Sequence, residues 1–130
     1  MMKVDKITCF PPKELEEVMR DWPASWAGEK SDIGPGEKLI EEFRPFVCFL
    51  NEQGFTRKTI RRHVDNLWAI GGEIIRDFNY DASLRKKKLR ILLLNVIETG
   101  HAPLMDGVSE EKQRLADATA RKFLKFIRSS

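Results

Sequence analysis

Residues 54–78 read GFTRKTIRRHVDNLWAIGGEIIRDF. Apolar or small residues recur at Ile60, Val64, Leu67, Trp68, Gly71, Ile74, Ile75 and Phe78, in steps of three and four. That period predicts an amphipathic helix from Arg57 to about Phe78. Thr56 is placed to cap its N-terminus, and Gly54 suits the left-handed residue that closes a preceding helix. Gly71-Gly72 costs about 1 kcal/mol per glycine against alanine in mid-helix, so the pair marks a bend or the close packing of another helix. Arg57, Lys58, Arg61 and Arg62 crowd the end of the helix that already carries partial positive charge. Such cations fit an anion such as phosphate, or they form a solvated face.

Outward from this stretch, helical patterning continues. Toward the N-terminus a helix is predicted over Glu37–Gln53, with Leu39, Ile40, Phe43, Phe46, Val47 and Leu50 inward. Pro45 is expected to kink or break it. A shorter helix is predicted over Lys13–Trp22, stopped by Pro23. Residues 23–36 read as a loop in which Trp26 plugs the edge of the core. Toward the C-terminus, a helix over Leu84–Thr99 has the apolar second half ILLLNVI, which suggests central burial. After a loop at 101–108, Ser109 caps a last helix, Glu110–Ile127, with Leu115, Ala118, Thr119, Phe123, Phe126 and Ile127 inward. Convincing alternation of apolar and polar residues is missing, so strands are not predicted. The expected fold is all-α: a compact bundle of about five helices, with 1–36 extending a 37–130 core within one globular unit.

The chain has 130 residues, 42% of them hydrophobic and 33% charged. That suits a soluble domain with a real core. No apolar run approaches the roughly 20 residues of a membrane span, and no signal peptide is visible, so the expected compartment is the cytosol. The two cysteines, Cys9 and Cys48, are too few for a disulfide scaffold, and Cys48 is expected to be buried. Net charge is +3, unevenly spread: −4 over residues 1–55, +6 over 56–90 and +1 over 91–130. The basic excess in the middle third can present a local positive field.

Catalytic signatures are missing. His63 and His101 lie far apart without metal-ligand spacing, and His63 reads as a helix-surface residue. GPGEK at 34–38 lacks the spacing of a phosphate-binding loop. Glu14, Glu16, Glu17, Glu41 and Glu42 read as solvent-facing. No nucleophile, metal or cofactor is expected. Two basic runs remain. TRKTIRRH offers Thr56, Arg57, Lys58, Thr59, Arg61 and Arg62; LRKKKLR offers Arg85, Lys86, Lys87, Lys88 and Arg90. Hydroxyls, amides and cations together suit a phosphate backbone. If both runs form one continuous surface, nucleic-acid binding is the stronger reading.

The stretch FRPFVCFLNEQGFTRKTIRRHVDNLWAIGGEII resembles the N-terminal core-binding, SAM-like domain of tyrosine recombinases and phage integrases. There a helix ending in an aromatic-Leu pattern meets a Gly-x-[Ser/Thr]-x-x-Thr turn, here Gly54 to Thr59. QRLADATARKFLKFI is loosely similar to that domain's last helix, so the resemblance covers about residues 37–130. It implies a small helical bundle that clamps duplex DNA, with Thr56, Lys58, Thr59 and Arg62 near phosphates. The catalytic domain of that family has no counterpart, so strand cleavage is not expected. The expectation is a non-catalytic domain that binds double-stranded DNA. The competing expectation is a protein-interaction or homo-oligomerisation module, with Trp22 and Trp26 as anchors.

Overall fold

The computed structural model describes residues 12–81, 83–84, 87–105 and 107–129, and residues 57–80 form its longest helix. Among the described residues there are six α-helices: α1 (Pro12–Arg20), α2 (Trp22–Trp26), α3 (Ile33–Glu52), α4 (Arg57–Tyr80), α5 (Leu89–Ile97) and α6 (Glu110–Ser129). A 3-10 turn, Lys30–Asp32, precedes α3. These residues contain no strand, and the expected all-α bundle is present.

The core is a triangle of the three long helices. α4 packs against both α3 and α6. α3 meets α6 through aromatic rings: Phe43 and Phe46 lie 5.7 and 4.9 Å from Phe123, centroid to centroid. Phe43, Phe46, Ile60, Leu67, Ile70, Ile75 and Phe123 are fully buried, each contributing roughly 1.5–3 kcal/mol. α2 lies against α3 and α4, and α5 lies against α3 and α6. Two sides of the triangle are therefore covered by a helix. The third, where α4 meets α6, is bordered by α1 and α2 through Val18 and Trp22 and left open as a groove.

The helix junctions follow the sequence reading closely at α4. Gly54 takes φ +80° just past α3, and the Thr56 hydroxyl accepts the Thr59 amide at 3.2 Å. Ser109 caps α6 in the same way through the Lys112 amide.

Several expectations need correction. Pro23 does not merely stop a helix; it sits in the first turn of α2, where its missing N–H costs nothing. Residues 23–36 are accordingly not a plain loop but hold most of α2, the 3-10 turn and the first turn of α3. Pro45 neither breaks α3 nor interrupts its assignment, because it occupies the exposed face while Phe43, Phe46 and Val47 are buried on the other. α5 begins at Leu89 rather than Leu84, where the first apolar anchors follow the lysines. Its ILLLNVI half is buried on one side only: Leu92, Leu93 and Ile97 are inside, and Ile91 is 49% exposed. Cys48 is exposed, not buried, since it lies outside the inward stripe of α3. On α6, Ala116, Ala120 and Leu124 join Thr119 and Phe123 inside, with Leu115 and Ala118 half-buried.

Gly71-Gly72 marks a close approach, as expected, but what approaches is a ring. A Cβ on Gly71 would lie 2.4 Å from Cζ2 of Trp26, and one on Gly72 would lie 3.3 Å from its Cδ1. The indole N–H of Trp26 donates to the Trp68 carbonyl at 2.9 Å, and that of Trp68 donates to Ser25 Oγ at 3.0 Å. α2 is thereby fastened to α4, with Trp26 at the core edge.

Candidate binding site

The first basic run is partly neutralised by its neighbours. Arg57 pairs with Glu14 of α1, and Arg61 pairs with Asp65 one turn on. Lys58 and Arg62 make no ion pair among the described residues. Thr56 and Thr59 are engaged with each other: besides the cap, the Thr56 hydroxyl donates to Thr59 Oγ1 at 3.1 Å. Their shared role is to start the helix. Lys122 of α6 reaches the same end of α4, lying over the Phe55 ring at 5.0 Å.

The second run lies elsewhere. Arg85 and Lys86 fall outside the described residues. Lys87, Lys88 and Arg90 line a depression of about 730 Å³ with Lys38, Glu41, Glu42 and Phe78, on the α3–α5 side. Arg90 donates to Glu42 at 2.7 Å. Phe78 is sixteen residues along α4 from Arg62, or about 24 Å at 1.5 Å per residue. Among the described residues, the two runs therefore lie as separate patches at opposite ends of α4.

The uncovered α4–α6 side holds a groove of about 700 Å³. Its floor is the outer face of α4, from Arg61 to Ala69. Val18 and Trp22 form one wall; Met105, Val108, Lys112 and Leu115 form the other. Trp68 is 45% exposed and Val108 37%, so apolar surface is open to solvent here. Arg61, Arg62 and Lys112 stand around it against one carboxylate, Asp65. The loop wall is tied down by α6: the Met105 amide donates to Gln113 Oε1, and the Ala102 amide donates to Asp117.

Beneath this groove lies a buried polar network. His63 is 8% exposed, which corrects its reading as a surface residue. Its Nδ1 shares a 2.7 Å hydrogen bond with Thr119 Oγ1, which also accepts from Asn66 at 2.8 Å. Burial, then the charges of Lys122 and Arg62, lower the His63 pKa to about 4. The imidazole is neutral at physiological pH and joins α4 to α6.

No group of three His, Cys, Asp or Glu among the described residues could hold a metal ion. No helix among them is long and apolar enough to cross a membrane. No protein-family model, curated protein or solved structure matches this chain. Sequence reasoning named Arg61 and Arg62 but missed Trp68, Val108, Lys112 and Lys122 as their neighbours. In the sequence Trp68 is only one more apolar position of the stripe beside Leu67, and the structure leaves it 45% exposed.

Proposed function

We propose that this chain is a non-catalytic interaction module that binds a polypeptide on its α4–α6 side. The observation that supports this is the groove itself: a held but half-exposed Trp68 beside Val108 and Leu115, with Arg62 and Lys112 at its margin. Tryptophan and arginine in a water-excluding depression are the residues that most often dominate binding energy. Trp22 is 6% exposed and contributes to the groove wall.

Binding of duplex DNA is the second reading, favoured by Lys58, Arg62 and Lys122 around the start of α4 and by the resemblance to core-binding domains. Magnitude argues against its being the main one. Three cations neutralising three phosphates give a log–log salt slope of about −3, against the roughly six to ten contacts of firm backbone binders. Photo-crosslinking tests both readings. A benzophenone amino acid at position 108, on the groove wall, should in native cells yield polypeptide adducts that Trp68→Ala abolishes. Nuclease-sensitive adducts would favour DNA instead, and an absence of adducts would count against the interaction reading.

A further inference from the structure

Resting on the interaction reading, we infer that the occupant of the α4–α6 groove is a short amphipathic helix of a partner protein with acidic flanks. Two observations carry this. The first is internal precedent. The α3–α4 and α3–α6 sides of the triangle are each filled by a short helix of this chain: α2, with Trp22 and Trp26, and the nine-residue α5, with Leu92, Leu93 and Ile97 buried. The α4–α6 side is the remaining pairing of the three long helices, with Ala69 on the floor of its groove and Leu115 on its wall. A helix of about two and a half turns, about 14 Å at 1.5 Å per residue, is what the α3–α6 side already accepts in the nine-residue α5, and the five-residue α2 fills the α3–α4 side. Apolar anchors at i, i+3, i+4 and i+7 would lie along Trp68, Ala69 and Val108.

The second observation is charge. The described lining holds three cations and one carboxylate, and Arg61 is the cation that Asp65 already engages. Arg62 and Lys112 are left facing the groove margin from α4 and α6. An apolar face flanked by Glu or Asp satisfies both cations, whereas a basic flank meets like charge on both sides.

The test uses the full chain and three synthetic peptides. All share one apolar face; their flanks are Glu, Gln or Lys. By titration calorimetry the Glu-flanked peptide should bind about tenfold tighter than the Lys-flanked one, with the gap closing as salt rises. Heteronuclear NMR should show the Trp68 indole and Ala69 amide shifting. Ala69→Arg should abolish binding, while Leu104→Arg, at a site 82% exposed and outside the groove, should not. Should Ala69→Arg fail to fold, Arg62→Glu with Lys112→Glu provides the second variant and should reverse the peptide preference. Equal binding of the three peptides, shifts mapping away from the groove, or no binding at all would overturn the helix. Polypeptide crosslinks at position 108 together with any of those outcomes would leave the interaction reading standing. A lack of crosslinks fails that reading independently.

Discussion

Gly71 and Gly72 are adjacent and chemically identical, yet their contacts with Trp26 predict opposite responses to a methyl group. Alanine gains about 1 kcal/mol of helix propensity at either position. At Gly71 the new Cβ would overlap a ring whose N–H is already fixed to the Trp68 carbonyl, and overpacking of this kind costs about 1–3 kcal/mol. Gly71→Ala should therefore lower the urea midpoint, while Gly72→Ala should leave it unchanged or raise it. Adding Trp26→Ala should erase the penalty at 71, which a double-mutant cycle reads directly. His63 gives a second residue-level expectation. Its folded pKa of about 4 lies below the usual 6.5, so the unfolded chain takes up the proton first. Stability is then intact above pH 6.5 and falls as pH drops from there toward 4, by on the order of 2 kcal/mol after allowance for partial solvent screening. Denaturant titrations across that window should show a shallower fall for His63→Gln. Nothing in the sequence disclosed this burial, because His63 precedes Val64 on the stripe and its covering partner, Thr119, is 56 residues away.

Among the elements, α3 tolerates a proline that local propensity disfavours. Pro45 removes one backbone hydrogen bond, yet Phe43, Phe46, Val47 and Leu50 hold the helix to the core. Pro45→Ala should raise stability by about 1–3 kcal/mol, seen as a higher denaturant midpoint at unchanged slope. Thr56→Ala should act the other way, costing about 1 kcal/mol through the lost cap. The contrast explains what was legible. The α3–α4 turn could be read because Gly54, Thr56 and the apolar period act locally. The continuity of α3 through Pro45 could not, since it rests on rings of α6 such as Phe123. The late start of α5 was also hidden: Leu84 fits the period, and only the fold shows Lys87 and Lys88 lying ahead of the helix.

Across the whole molecule, charge is separated by the length of α4. In the sequence the two basic runs lie within one third of the chain, and only folding places them apart. Their effects on any polyanion should therefore be independent. In heparin or duplex-DNA titrations, Lys58→Glu with Arg62→Glu and Lys87→Glu with Lys88→Glu should give additive losses. A loss larger than the sum would show that one ligand spans both patches, contrary to their placement. The groove could not be read from the sequence, because its walls come from α1, α2, α4, the 105–108 loop and α6.

The knot of Trp22, Trp26 and Trp68 has a spectroscopic consequence. These are the three tryptophans of the chain. Trp22 and Trp26 lie 5.6 Å apart, and Trp26 is bonded to the Trp68 carbonyl. Intrinsic indole emission thus comes from one corner of the bundle, where α2 is fastened to α4. It is blind to the remote face, where α5 rests on α3 and α6. A denaturation curve followed by emission alone would record the release of that corner. Only its coincidence with loss of far-ultraviolet dichroism would establish that the six described helices melt as one unit.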